Sequence, residues 1–435
     1  MSSSTSQQHP VDPTTFARLA EQNLIYRLID SANPDDLRAF MRADARGFLD
    51  EEPTDKELSS YAPVTAARRN IGVFDSDAAA GDLPVATVNS WVTPMTVPGG
   101  EIPLWAISSV TVAATRRRRG IARGLLEGEL RAAAAAGIAV AGLTVSEATI
   151  YRRYGFASAV PVAEITVDTQ RAGWIGPTDN GVRLDYGTPD DLAATLSDLH
   201  EKERTQRSGQ IAGWEGRWQQ FSGADETVKN ARSLRGVIAR DASGEASGVM
   251  TYTLEEVAGT FRFEMRIRHI SALTPEALRS LWQFAVQHDL VIRVHADQRP
   301  VDDPLPWLVA DQRAVTVRVH DHGWLRVLDV PAALQARSYR APLNVTIKVT
   351  DSLGFAEGTW NVSVTDGAAT VVPASVTDAE ADVRLDAPAL AALYAGGVSA
   401  LRLRAAGHLH ATYEVAAAVD DAFRAVPAPV LGIWY

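Results

Sequence analysis

The sequence predicts a mixed α/β chain (α+β in its last part): two tandem copies of one α/β unit, then an α+β domain of different make. Three observations carry this. The chain has 435 residues, and roughly 150 residues per domain suggests about three domains. A strand–turn–helix opening occurs twice, as "YRLIDSANPDDL" (26–37) and "VRLDYGTPDDL" (182–192). The final third changes texture, with strand-like segments at short spacing.

Taken in order, residues 1–22 are expected to form a disordered tail. The start "MSSSTSQQHPVDPTT" has neither a basic n-region nor an apolar h-region, so no secretory signal is visible. In each copy of the repeat Asn33 or Thr188 caps a helix, Pro34 or Pro189 takes its first position, and two Asp complement its dipole. The first copy continues as a strand, "LWAISSVTV" (104–112), through "AATRRRRG" into the helix "IARGLLEGELRAAAAA" and the strand "IAVAGLTV". The second runs from "FEMRIRHISAL" (263–273) through "TPEA" into "LRSLWQFAVQ" and "LVIRVHA". After "WLRVLDVPAALQARSY" (324–339), strands are predicted at "LNVTIKVT", "GTWNVSVT", "ATVVPAS" and "ADVRLD". Then come a helix at "APALAALYAGG", a strand at "ALRLRA" and a helix around "AVDDAFRAV".

Composition bounds the function. A hydrophobic content of 46% and a charged content of 22% are ordinary for a globular chain. The formal charge of −11 argues against nucleic acid as a partner, because phosphate binding needs a basic face, and it suits a cationic acceptor. The chain has no cysteine, which excludes disulfides, thiolate metal sites and a Cys nucleophile. The longest uncharged apolar run, "AAAAAGIAVAGLTV", is about 14 residues, short of the ~18 of a spanning helix. No membrane partner and a cytoplasmic location are therefore expected. His320/His322 and His408/His410 share a face pairwise on a strand, but no third ligand completes a metal site, and none is expected.

"TRRRRGIARG" (115–124) is the most informative interior stretch. It turns from a strand into a helix, whose first N–H groups are unpaired and carry about half a positive charge. Gly120 admits a ligand close to the backbone, Ala122 keeps the next turn uncrowded, and the arginines add charge. A nucleic-acid patch and a merely solvated basic turn compete with a diphosphate cradle; the acidic chain favours the cradle.

Arg117-Arg118-Arg119-Gly120-Ile121-Ala122 resembles the pyrophosphate signature of GCN5-related N-acetyltransferases. "MTVPGGEIP", "SEATIYRRYGF", "DDPLPWLVADQR" and "WLRVLDVPAALQARSY" are similar to segments of the enhanced intracellular survival (Eis) acetyltransferases. The likeness covers nearly everything beyond the N-terminal tail. It implies two tandem GCN5-related N-acetyltransferase-type domains followed by a sterol-carrier-protein-like α+β domain. The divisions are a catalytic domain over 23–170, a second domain without cofactor over 171–318, and the third over 319–435. The co-substrate implied is acetyl-CoA, held by Val110, Val112, Arg117, Arg118, Arg119, Gly120, Ile121, Ala122 and Ser146. In the second copy Glu276 would repel a diphosphate and Pro275 removes a donor.

Acetyl transfer to an amine needs two proton movements. An alkylamine with a pKa near ~10.4 must lose a proton, and the departing thiolate should gain one. No His lies between residues 10 and 199, so the first domain offers no imidazole. Tyr151, just past a strand, is placed for the acid, and the resemblance implies the same; Tyr154 is its rival. The resemblance implies that the terminal carboxylate, here that of Tyr435, is the base, with Glu147 and Glu101 as fallbacks. The chain's last residues fit that role: Ile433, Trp434 and Tyr435 are apolar and Pro427 and Pro429 stiffen their approach, which marks an end with a specific burial place. An α-carboxyl with a pKa of about 3.3–3.7 matches an amine poorly, and burial would raise it. For the acceptor the resemblance implies Asp50 and Glu51, with Trp434 replacing an acidic neighbour of the C-terminus; Phe48 and Trp91 are further candidates.

The function implied is acetylation of primary amines of cationic small molecules, such as aminoglycosides, polyamines or lysine-like groups. Transfer would be direct, in a ternary complex, within a homohexamer built as a dimer of trimers. The alternatives are a lipid- or ligand-binding protein acting through the third domain, and an acyltransferase using a longer acyl-CoA.

Overall fold

A computed structural model describes residues 9–79, 81–178, 181–376 and 380–435. Residues 1–8 of the expected tail lie outside the described residues. The chain forms two compact units. The first comprises residues up to Ala159, Gly323–Ala425 and Tyr435; the second comprises Val160–His322 and Val426–Trp434.

The first unit opens with helix α1 (Pro13–Ala20), which corrects the expectation of disorder through residue 22. Asp12 caps it, accepting from Thr15 N at 2.7 Å, and Asp12 is ion-paired to Arg131 at 2.8 Å. With Thr15 and Leu19 buried, this helix is part of the core. Strand β1 (Leu24–Leu28), α2 (Pro34–Phe48), α3 (Asp55–Ala66), β2 (Arg69–Asp75), β3 (Ala86–Val97), β4 (Gly100–Val112), α4 (Ile121–Ala135) and β5 (Val140–Thr144) follow. The sheet order is β1-β2-β3-β4-β5, and Gly323–Val327, the end of β12 (Val315–Val327), pairs with the far edge of β5.

Asn33 caps α2 above Pro34, with Asp35 and Asp36 in its first turn, as the residues predict. Inside, Glu129 of α4 binds Arg69 of β2 at 3.2 Å and Trp105 Nε1 of β4 at 3.2 Å, and also accepts from Ser90 of β3. Glu129 and Arg69 are buried. A buried charge persists only when paired and hydrogen-bonded, so this network ties α4 to the sheet in one register.

The third part is α9 (Val330–Gln335), β13 (Leu343–Thr350), β14 (Gly358–Thr365), β15 (Ala368–Pro373), β16 (Val383–Asp386), α10 (Ala387–Tyr394), α11 (Ala400–Ala405), β17 (Leu409–His410) and α12 (Tyr413–Phe423). Its sheet runs β15-β14-β13-β16-β17. "ALRLRA" is helix α11, not the expected strand. Ser399 caps it, and Ala, Leu and Arg are all strong helix formers, which outweighs the alternating pattern.

The second unit carries most of β6 (Ala157–Asp168), then α5 (Thr169–Ala172), β7 (Arg183–Tyr186), α6 (Pro189–Arg204), α7 (Glu215–Ser222), β8 (Arg235–Arg240), β9 (Ala246–Val257), β10 (Arg262–Ala272), α8 (Pro275–Val286) and β11 (Val291–Arg299). Its sheet order is β6-β11-β10-β9-β8-β7. The strand–turn–helix repeat is therefore real at the level of elements: Thr188 caps α6 as Asn33 caps α2. Residues 426–434, which the sequence places in the third domain, pack within this unit. Val430 N bonds Ser208 O at 3.0 Å, Gly432 N bonds Gln210 Oε1 at 2.9 Å, and Arg217 bonds Trp434 O at 2.5 Å.

Candidate active site

Strand β4 opens the site. It pairs with β3 along its length but with β5 only through Leu104–Ala106. Beyond that point its β5-facing edge has no β5 partner. At Ser109 the backbone takes a positive φ of 54°, beside a register shift opposite Thr87 and Asn89. That residue is held three ways. Thr87 donates to its carbonyl at 2.8 Å, Asn89 donates to its hydroxyl at 3.1 Å, and the hydroxyl donates to Asp44 at 3.1 Å.

The turn after β4 feeds α4 through Gly120, whose φ is 73° and which offers no side-chain cap. The first N–H groups of α4 are thus left for a ligand, the arrangement that binds anions. The equivalent helix in the second unit differs: Thr274 caps α8, accepting from Ala277 N at 3.2 Å, and Glu276 is bonded to Arg279 at 2.6 Å.

A cavity of about 770 Å³ runs along this opening. Of the residues the sequence nominates, Phe48, Val110, Val112, Arg117, Arg118, Gly120, Ile121, Ala122, Ser146 and Tyr151 line it together, as do Glu147 and Tyr154. Arg119 does not; its guanidinium is drawn to the Gln22 carbonyl at 2.9 Å. Asp50 and Glu51 are exposed and outside the lining. The reason is the end of α2: Leu49 turns left-handed, φ 65°, and directs the following residues away. Glu101 is likewise exposed. Trp434 belongs to the second unit, where its ring lies 4.8 Å from that of His322.

Tyr151 is 6% exposed, and burial first, then the Glu147 carboxylate, pushes its phenol up to about 12. It therefore keeps its proton at neutral pH and can donate it. Tyr154 is also shifted up, chiefly by burial.

Tyr435 packs within the first unit and is 8% exposed. Its ring stands edge-on to Trp91 at 5.4 Å, and the Arg68 guanidinium lies 3.6 Å from the Trp91 ring. Thr144, the last residue of β5, donates to the Tyr435 main-chain oxygen and accepts from Tyr435 N at 3.3 Å. Tyr435 and Trp91 are not in the cavity wall themselves; Thr144 lies two residues before Ser146, which is. Gly142, also on β5, makes room for the phenol: a Cβ there would meet the Tyr435 hydroxyl at 3.1 Å.

Sequence reading missed several wall residues. Ser352 and Leu353 come from the third part of the chain, on a loop fixed by the buried Arg326–Asp351 pair at 2.5 Å. Nothing local in "TDSLGF" signals a cavity wall. Gly47 also lines the cavity, and a Cβ on it would collide with the Thr111 side chain. Gly47→Ala should destabilise the first unit by about 2 kcal/mol through overpacking, read as a shift in its denaturant midpoint. Among the described residues no group of three or more His, Cys, Asp or Glu is placed to hold a metal, and no helix is long and apolar enough to cross a membrane.

The acetyltransferase (GNAT) domain family matches residues 28–159 and again 209–327, and the sterol carrier protein domain family matches 330–432. An uncharacterized N-acetyltransferase of Streptomyces avermitilis is 34% identical over 394 residues, 88% of this chain and 92% of that protein. N-acetyltransferase Eis of Mycobacterium tuberculosis is 31% identical over 329 residues, 72% of this chain and 76% of that protein. The crystal structure of Eis1 from Mycobacterium abscessus superposes with a TM-score of 0.78 at 27% identity, covering 94% of this chain and all of that one.

Proposed function

The chain belongs to the Eis-like GCN5-related N-acetyltransferases, and from that premise we propose that it transfers acetyl from acetyl-CoA directly to primary amines of cationic small molecules, aminoglycosides and polyamines among them. The observation that carries this is one cavity lined by the free edge of β4, the uncapped start of α4 with Arg117 and Arg118, and Tyr151, in the same compact unit as the fixed residue Tyr435.

The residues divide the work. Backbone groups of Val110 and Val112 pair with the pantetheine arm, as an added strand pairs with a sheet edge. The first turn of α4 and the Arg117 and Arg118 side chains hold the diphosphate. The Tyr435 carboxylate, oriented by Thr144, takes a proton from the acceptor ammonium. Tyr151 gives its proton to the departing sulfur. Trp91 positions the Tyr435 ring. The second domain, with Glu276 and Pro275 at its helix start, does not bind coenzyme A and serves as scaffold, and the chain works in the cytoplasm as a homohexamer, a dimer of trimers. In the third domain, buried Arg337 donates to the Leu393, Tyr394 and Phe423 carbonyls; an interior so filled favours scaffold over lipid carrier.

Coenzyme A release with kanamycin, tobramycin and small polyamines tests the reading. Release with at least one supports it, and none with any amine contradicts it. Arg117→Ala and Arg118→Ala should each raise the acetyl-CoA KM about tenfold with kcat nearly unchanged, since a lost charge-assisted contact to the diphosphate removes uniform binding. Steady-state kinetics at varied acetyl-CoA reads this directly.

A further inference from the structure

Asp44 has no part in the chemistry above, yet its surroundings are unusual. It lies on α2 three residues before Gly47 and four before Phe48, so all three share one helix face, and the latter two line the cavity. Its Oδ2 accepts from Ser109 of β4 at 3.1 Å, and Ser109 is held in turn by Asn89 at 3.1 Å. Asn89 and Trp91 alternate with Ser90 on β3 and so face the same side, the side on which Trp91 meets Tyr435. Its Oδ1 is shielded from solvent and has no hydrogen-bond partner.

Burial first, then the charge of Asp50, pushes the Asp44 carboxyl up to about 6, against the pull of the Ser109 hydrogen bond and the Arg68 guanidinium. The three cations of its own helix are turned elsewhere: Arg38 is paired with Asp55 at 2.9 Å, Arg42 with Glu52 at 3.1 Å, and Arg46 donates to the Pro84 carbonyl at 2.7 Å. An acid whose folded pKa is raised favours the fold when protonated. That contribution is full below the unfolded pKa and is lost as pH rises through about 6. At neutral pH the ionised Asp44 therefore weakens the fold, and a neutral isostere would hold Ser109 as well. A charge kept at such a cost calls for a cation.

We propose that Asp44 is a specificity-determining residue, the fixed negative charge that makes this enzyme prefer acceptors carrying a second positive group beside the reacting amine. This rests on the reading of the first unit as an amine acetyltransferase. Asp50 and Glu51 are exposed beyond the helix end and Asp35 at its start, and Asp36 is paired with Arg27 at 2.9 Å, which leaves Asp44 as the acidic group of α2 one turn from Gly47 and Phe48. As pH falls through about 6 the charge, and with it the preference, disappears.

The test compares 1,5-diaminopentane with 5-aminopentan-1-ol, which differ only in the second ammonium, on the full-length protein and its Asp44→Asn variant. Wild type should favour the diamine about tenfold in kcat/KM at pH about 7.5, one charge–charge contact in a partly shielded site, and lose most of that preference by pH about 5.5. D44N should favour it less than about twofold at both, with the acetyl-CoA KM unchanged. D44N should also melt about 3 °C higher at pH about 7.5, a difference that vanishes below pH about 4. A variant that keeps the preference, or melts lower than wild type, overturns the proposal. Should D44N fail to fold, Ser109→Ala, which frees the carboxylate, must reduce the preference for the proposal to stand. If no amine is acetylated by wild type, the function proposed above fails instead; calorimetric binding of the two amines to wild type and D44N then decides Asp44 by the same ratio.

Discussion

A single alanine appended after Tyr435 is expected to lower kcat by about 100-fold or more while leaving acetyl-CoA affinity within about twofold. The carboxylate proposed to take the acceptor proton would be moved one residue, about 3.5 Å, past the hydroxyl of Thr144, which now holds Tyr435 by oxygen and nitrogen. The new terminus would have no equivalent partner, and a peptide carbonyl would stand where the base was. The split between kcat and affinity matters. In the proposed arrangement the cofactor is held by β4 and the start of α4, not by the residues around the chain's end. A variant that lost acetyl-CoA binding in equal measure would point to disruption of the unit, not removal of a base. Steady-state kinetics with calorimetry of coenzyme A separates the two.

Tyr151→Phe is the second large effect expected: kcat down about 10²–10³, the usual weight of a general acid, with little change in either KM. The ring contact with Phe156 at 6.3 Å survives the substitution, so the fold should be intact. The acid form is needed, and burial holds the Tyr151 phenol up to about 12. Wild-type kcat should therefore show no loss between about pH 8 and 10. An alkaline fall centred near the ordinary tyrosine value of about 10 would mean that a group other than the buried Tyr151 and Tyr154, both shifted up, donates the proton.

How much of this was legible in the sequence depends on how local the cause is. The uncapped strand-to-helix turn was, because Gly120 at positive φ and the residues after it act within one turn of chain. So were the caps at Asn33 and Thr188, whose partners lie two or three residues on. Helix α1 carries the same kind of signal, Asp12 before Pro13, but its neighbours are polar and its stability comes from packing on α4 through Thr15 and Arg131, which no window around residue 13 contains. Arg119 and its neighbours look alike in sequence, and only the backbone path sends its side chain to Gln22. Asp50 and Glu51 were assigned to the acceptor by likeness alone, and they follow a left-handed turn at Leu49, exposed and outside the cavity wall. Asp44, one turn earlier, reads as an ordinary polar residue of an amphipathic helix until Ser109 is seen opposite. Ser352 and Leu353 reach the cavity from more than 200 residues beyond α4 in the chain.

The most direct measurement is a crystal structure with coenzyme A and tobramycin bound. The account predicts the acceptor nitrogen within about 3 Å of a Tyr435 carboxylate oxygen, with the Tyr151 hydroxyl on the sulfur side. An acceptor nitrogen lodged against Glu147 instead, with the Tyr435 carboxylate turned to solvent, would contradict it.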